Sequence, residues 1–197
     1  MQTYKDIPNF FSFDDLYDQM VGEVEGPATF VEVGTWFGAS AAYLAGRVKE
    51  SGKEIKIYAI DNFTAEGAGP VLAAEVAKVG GNFLEVFREN LRRCGVADYV
   101  TTLVGDSTEM AGHFEDESVD FVYIDACHEY AKVRLDILAW IPKVKPGGVV
   151  AGHDYNAGHR GVIRAVDEIF GKENVLVMKS SWVVRKPLEP GAPFRKP

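Results

Sequence analysis

Cysteine is scarce: the 197 residues hold two, Cys94 and Cys127. They lie far apart with no C-x-x-C pairing, so neither a disulfide framework nor a structural zinc site is expected. Long apolar runs are missing, and nothing approaches the roughly 20 residues that span a bilayer. Met1 to Phe13 has no basic stretch leading into an apolar one, so no signal peptide is expected. Runs of Lys or Arg are missing too, and 29 acidic against 21 basic residues leave a formal charge of −8. Such a surface repels phosphate backbones and makes nucleic acid a poor partner. A cytoplasmic chain with no membrane and no nucleic-acid partner is expected. What is present is ordinary: 47% hydrophobic and 25% charged residues form a globular rather than a disordered composition. The length suits one domain, 1–197, with one sizeable core.

Helical and strand patterns alternate along the chain. Ser12 is placed to cap a helix carrying Phe13, Leu16 and Met20, which Gly26-Pro27 ends, so residues 1–27 form an N-terminal cap. Thr29 to Val33 is a short apolar strand closed by Gly34. Ser40 to Val48 has helical spacing, and Ile55 to Ile60 is a second strand ending at Asp61. Asn62 to Asn82 is Gly- and Ala-rich and is expected to be a functional loop with one short helix. A helix through Leu84, Phe87 and Leu91 precedes the third strand, Val100 to Val104. A short helix from Ser107 to His113 follows. Val119 to Ile124 is the fourth strand. The next helix has Tyr130, Val133, Ile137 and Ile141 on one face, and Val149 to Ala151 is the fifth strand. A helix through Val162, Ala165, Val166, Ile169 and Phe170 leads to Val175–Met178 and Trp182–Val184, two strands close enough to form a hairpin. The tail from Pro187 is expected to fray.

This alternation implies a mostly parallel sheet with helices on both faces, a Rossmann-like three-layer α/β sandwich. Ligands of such sheets bind at the carboxyl ends of the strands, near the reversal of strand order. Gly34, Asp61, Asp106, Asp125 and Asp154 all stand just after strands. In Glu32-Val33-Gly34-Thr35-Trp36-Phe37-Gly38-Ala39-Ser40, a strand runs through a two-glycine turn into a helix. Gly34 and Gly38 would let backbone approach a ligand, and Glu32 offers a carboxylate to an ammonium group. Thr35, Trp36 and Ser40 belong to the same cradle. The spacing is not G-x-G-x-x-G, which weighs against a dinucleotide. Asp61, with Asn62 beside it, is placed to accept from ribose hydroxyls; capping a turn is the plainer alternative. Gly105-Asp106-Ser107 is placed at an adenine amino group, or else Asp106 caps the short helix.

Asp120-Phe121-Val122-Tyr123-Ile124-Asp125-Ala126-Cys127-His128-Glu129-Tyr130 is the most specific stretch. With Asp136, Trp140, Lys145-Pro146-Gly147-Gly148 and Gly152-His153-Asp154-Tyr155, it resembles class I methyltransferases of the small-molecule O-methyltransferase type. The resemblance covers roughly residues 28 to 186. One departure is Ala126, where that branch usually has Gly, with Cys127 beside it. The resemblance implies seven strands with the last antiparallel, and S-adenosylmethionine as cofactor. Residues Glu32, Gly34, Thr35, Trp36, Gly38, Ser40, Asp61, Asn62, Gly105, Asp106, Ser107 and Asp125 would bind it. It also implies, for several relatives, a divalent ion held after the fourth and fifth strands. Asp125 and Asp154 match those positions, and His153 stands where a second acidic ligand is common. Carboxylates suit Mg²⁺, whereas the imidazole suits Mn²⁺, Fe²⁺ or Zn²⁺ better.

The expected chemistry is in-line transfer of a sulfonium methyl to an oxygen of a small molecule, a sugar or natural-product hydroxyl, with positioning as the protein's main work. Asp125, His128 and His153 are the catalytic candidates, with His128 or His153 taking the proton. His113 and His159 are expected at the surface, His159 being placed to overlook the pocket. Tyr130 and Trp140 are expected in the core, and Cys127 as a small buried hydrophobe. Small relatives often pair, so a homodimer is compatible. Three rivals stand beside this reading: an NAD-dependent oxidoreductase on a similar sheet, a non-catalytic cofactor-binding protein, and a metal-dependent hydroxylase. Against the last, no triad of two His and one carboxylate is evident from the spacing.

Overall fold

The computed structural model describes residues 2–66, 69–189 and 191–197. Seven strands form one sheet: β1 (Ala28–Val33), β2 (Ile55–Asp61), β3 (Val100–Val104), β4 (Val119–Ile124), β5 (Val144–Gly152), β6 (Leu176–Met178) and β7 (Ser181–Arg185). Their order is β3-β2-β1-β4-β5-β7-β6. The first five run parallel, and β7 is antiparallel to both β5 and β6. The strand order therefore reverses between β1 and β4, where a crevice is expected.

Helices α1 (Asp14–Glu23), α2 (Ala39–Ser51) and α4 (Leu84–Cys94) cover one face; α5 (Ser107–Ala111), α6 (Tyr130–Trp140) and α7 (Arg160–Phe170) cover the other. The split follows strand alternation: Phe30, Phe121 and Tyr123 face the first core, while Val31, Val33, Val122 and Ile124 face the second. Val162, Ala165, Val166 and Phe170 put one apolar stripe of α7 into the second core. At the amino ends of the strands, Asp120 ties three of them together. It accepts from the Thr29 N–H at 2.8 Å and from Lys145 Nζ at 2.9 Å.

Several expectations change. The helix predicted from Ser12 starts one residue later, with Phe13 at its N-cap and no side-chain cap. The loop over 62–82 holds a nine-residue helix, α3 (Pro70–Lys78), opened by a proline suited to a first helical turn. The fifth strand begins at Val144, five residues early, because the Lys145–Gly148 turn stays in the sheet past a register shift between Val119 and Phe121. Tyr130 is half-buried rather than core: its hydroxyl donates to Glu168 at 2.6 Å and its ring lies under Arg164. Cys127 is likewise half-buried. Past Pro187, Arg195 pairs with the Arg185 backbone and Phe194 packs on Phe170. Among the described residues no helix is long and apolar enough to cross a membrane.

Candidate active site

The carboxyl ends of β1 to β5 bring most of the predicted residues to one rim. At the crevice, Gly34 holds φ +82°, and a Cβ there would lie 2.0 Å from the Asp125 carbonyl oxygen. The bare α-carbon thus seats the end of β1 against the end of β4. Gly38 likewise makes room for the Phe87 ring, 2.8 Å from its would-be Cβ, so both glycines are also required by packing. Trp36 follows in the left-handed region, at φ +48°, and stacks on Phe37 at 4.3 Å.

On the β1–β3 side, polar groups are wired to backbone. Asp61 accepts from the Thr35 and Phe63 N–H groups, both at 2.8 Å. Burial raises its pKa, and those N–H groups oppose the rise. Asn62 accepts from the Thr64 N–H at 2.9 Å. Asp106 caps α5, accepting from the Thr108 N–H at 2.9 Å and its hydroxyl at 2.5 Å, and these bonds lower its pKa. Each of these carboxylates and amides keeps lone pairs for a second partner. Beneath Asp106, the Trp140 indole N–H donates to Ser107 at 3.0 Å. Buried Asp136 is close by, its pKa pushed up to about 6 by burial and held back by the Ser107 hydroxyl.

Glu32 is different. It is 1% exposed, and its only hydrogen bond among the described residues is accepted from the Ser40 hydroxyl. Burial pushes its pKa up to about 8. Among the described residues, its Oε2, the Thr35 hydroxyl and the Tyr17 hydroxyl are all buried without a well-formed hydrogen bond, although the Tyr17 hydroxyl is near enough to Glu32 for each to shift the other's titration. Unsatisfied groups at this depth cost about 1–3 kcal/mol each and call for an explanation. Tyr17 went unnoticed in the sequence, although it stands four residues after Phe13 on the same helical stripe, which was the available signal.

On the β4–β5 side, charged side chains face one another. His128 Nε2 lies 3.0 Å from Asp154 Oδ2 and 3.8 Å from Asp125 Oδ1. His153 Nδ1 lies 3.7 Å from Asp125 and 3.6 Å from Asp154. His159 Nδ1 lies 3.2 Å from Asp154 Oδ1, and its ring meets that of His128 edge-on at 4.5 Å. Asp125 and then Asp154 raise the His128 pKa to about 10. For His153, burial lowers the pKa but Asp154 and Asp125 outweigh it. Burial alone would raise the Asp154 pKa, yet His128 and His153 hold it well below the ordinary carboxylate range. The α1 end closes over this group: Ser12 Oγ sits 3.3 Å from His153 Nε2, and the Phe13 ring lies 4.2 Å from Tyr123 and 5.2 Å from His153.

Two ligand groupings result, Asp125–His153–Asp154 and His128–Asp154–His159, each with its donor atoms within 4.8 Å of one another. The first is the set expected from sequence. The second is a pair of imidazoles and one carboxylate that the spacing had not revealed, because His159 reaches the rim from the N-cap of α7. A groove of about 320 Å³ opens at the opposite ends of the strands, walled by the Asp120–Lys145 and Glu23–Arg185 pairs. It contains none of the rim residues.

Residues 31–155 match the model of a family described as a methyltransferase domain. An uncharacterized protein of Sinorhizobium fredii, y4gI, is 27% identical over 135 residues, which is 68% of this chain but only 14% of that protein's length. Among solved structures, the O-methyltransferase NovP superposes with a TM-score of 0.72 at 18% identity, covering 88% of this chain and 79% of that one. A SAM-dependent O-methyltransferase from Thermotoga maritima gives 0.60 at 18% identity, with 91% and 66% covered. Cofactor-bound Rv0187 from MTB gives 0.61 at 19% identity, with 93% and 84% covered. These likenesses share the fold of the seven-stranded sheet.

Proposed function

Because the chain belongs to the methyltransferase-domain family, we propose that it transfers the methyl group of S-adenosylmethionine to a hydroxyl oxygen of a small molecule, such as a sugar or a natural product. The observation that carries this reading is the buried, unpartnered set of Glu32 Oε2, Thr35 Oγ1 and Tyr17 OH. An amino-acid ammonium group brings the donors that Glu32 and Thr35 lack, and its charge favours the ionised form of Glu32. Free lone pairs on Asp61 suit ribose hydroxyls, and Asp106 suits an adenine amino group. A sulfonium nucleoside held by these residues would supply its methyl group to an acceptor on the β4–β5 side.

The carboxylates of Asp125 and Asp154, with His153, fit a divalent ion of borderline character better than Mg²⁺ alone. Such an ion, when bound, would orient the acceptor oxygens, lower the hydroxyl pKa and offset the carboxylate charge that keeps the proton on His128. With that charge offset, a neutral His128, close to both carboxylates, would receive the proton that the acceptor oxygen gives up. Ser12 and Phe13 fix His153 from above and help exclude water from the acceptor side. The transfer itself is displacement at an activated methyl group, so alignment by these residues is the protein's contribution.

Calorimetry with S-adenosylhomocysteine and NADH tests the cofactor. Uptake of the first and not the second is expected, and NADH uptake alone would move the chain to the oxidoreductases. Methyl transfer from labelled cofactor to a panel of hydroxylated acceptors tests the reaction. A chelator-treated sample with undiminished transfer would remove the ion from it.

A further inference from the structure

We propose that the second grouping, His128 Nε2, His159 Nδ1 and the Asp154 carboxylate, is a binding site in its own right for a borderline transition ion of the Zn²⁺ or Co²⁺ class. It is separate from the Asp125–His153–Asp154 set and shares only Asp154 with it. Donor atoms around a tetrahedral ion with bonds of about 2.0–2.1 Å are about 3.3 Å apart. Asp154 Oδ2 lies 3.0 Å from His128 Nε2 and Asp154 Oδ1 lies 3.2 Å from His159 Nδ1, and the three ligand atoms all lie within 4.8 Å of one another, so a small contraction brings one carboxylate oxygen and both imidazoles to that spacing.

Three further observations point to a ligand there. The Nδ1 atom of half-buried His159 is shielded and, among the described residues, has no hydrogen-bond partner, because its approach to Asp154 has the distance of a hydrogen bond but not the direction. Asp154 sits at φ +59°, a left-handed conformation that costs a non-glycine residue free energy and that turns its carboxylate between the imidazoles. Gly161, in the first turn of α7, has its would-be Cβ 2.5 Å from the His128 carbonyl oxygen and 2.8 Å from the Tyr130 nitrogen. The helix start that carries His159 is therefore pressed onto the backbone that carries His128, which fixes the two imidazoles relative to each other.

Two imidazoles with one carboxylate select against Mg²⁺, which takes oxygen donors, and favour Zn²⁺, Co²⁺ or Fe²⁺. Three protein ligands leave a coordination position open, as in reactive rather than closed structural sites. Occupation would also tie up the His128 nitrogen proposed above as the proton acceptor, so an ion here would govern whether that residue is free to act. Binding of the ion itself does not depend on the methyltransferase reading.

The experiment is a Co²⁺ titration of the chelator-treated full chain, followed by visible absorption, with S-adenosylhomocysteine calorimetry on the same samples. Ligand-field bands from a His159-dependent Co²⁺ are expected, beside any Co²⁺ that the Asp125–His153–Asp154 set takes up, and excess Mg²⁺ should leave those bands unchanged. His159→Asn keeps a good N-cap residue for α7 and should weaken Co²⁺ by at least about tenfold, the scale of losing a metal-site partner. Asp125→Asn and His153→Ala should keep the bands. Unaltered S-adenosylhomocysteine binding by His159→Asn would show that the variant is folded. The proposal is overturned if His159→Asn binds Co²⁺ like the wild type, if the bands vanish with Asp125→Asn or His153→Ala, or if no Co²⁺ is taken up. Intact bands in a chain that takes up no S-adenosylhomocysteine would uphold this site and sink the cofactor reading instead.

Discussion

The two sides of the rim solve the same problem in opposite ways. After β2 and β3, Asp61 and Asp106 are each neutralised locally by N–H groups of the chain, at 2.8 and 2.9 Å. After β4 and β5, Asp125 and Asp154 have imidazoles as neighbours at 3.0–3.8 Å. Backbone donors are fixed by the fold, so the first side is a rigid receptor in which only spare lone pairs are on offer. Imidazoles exchange protons and bind ions, so the second side can change its charge during a reaction. In the function proposed above, the cofactor takes the first side and the acceptor chemistry the second. Gly34 and Glu32 stand at the seam.

The largest expected effect comes from forcing the seam apart. Gly34→Ala puts a methyl group 2.0 Å from the Asp125 carbonyl and an L-residue at φ +82°. The strain and the displaced strand end should together cost about 3 kcal/mol or more, seen as a lowered urea midpoint. A wild-type midpoint in this variant would mean that β1 and β4 meet less closely than described. Glu32→Gln comes next and has two opposite signatures. The folded pKa of about 8 lies above the ordinary value of 4.5. Unfolding lets Glu32 ionise above pH 4.5, so wild-type stability falls as pH rises from there and levels off above pH 8. The loss is on the order of a few kcal/mol. The glutamine variant should lack this loss and exceed the ligand-free wild type in stability at pH 8, while S-adenosylhomocysteine binding drops at least about tenfold, the scale of losing one charged hydrogen bond. Equal stability of the two chains across pH 5–9 would place Glu32 in contact with water. Trp140→Phe removes the indole donor to Ser107 and should cost about 1–2 kcal/mol, with weaker nucleoside binding and no change in Co²⁺ uptake. Loss of both activities together would erase the distinction between the two sides.

How much of this was legible from the sequence follows the same division. Apolar runs ending in Gly34, Asp61, Asp106 and Asp125 announce strands and rim at once, since a parallel sheet puts every strand's carboxyl end on one edge. The roles of the glycines were not legible. That a bare α-carbon is needed by a neighbouring strand or ring depends on packing, and here Gly34 meets Asp125 and Gly38 meets Phe87. Asp125, His128, His153 and Asp154 stood out because they flank strand ends. His159 stood out only as a residue placed to overlook the pocket, since four residues of loop separate it from Asp154 and the seating of Gly161 decides where that loop points. Tyr17 was hidden for a related reason: its ring belongs to an apolar stripe, and only burial beside Glu32 turns its hydroxyl into part of a site. The short helix expected within 62–82 is α3, and only its bounds were hidden by the Gly- and Ala-rich flanks.

The smallest expected effect decides between two roles of one residue. Asp106 both caps α5 and stands where an adenine amino group would bind. Asparagine caps a helix about as well as aspartate, and its carbonyl oxygen would still take the Thr108 N–H. Its other atom is a donor rather than an acceptor, so it would face the adenine amino group with like polarity. Asp106→Asn should therefore leave the unfolding midpoint within about 0.5 kcal/mol of the wild type. S-adenosylhomocysteine affinity should fall severalfold, equivalent to about 1 kcal/mol. An inosine analogue of that nucleoside, which carries an oxo group in place of the amino group, should lose less or gain. If affinity for both nucleosides stays as in the wild type, Asp106 is a cap alone, and the base lies along another part of the β3 end.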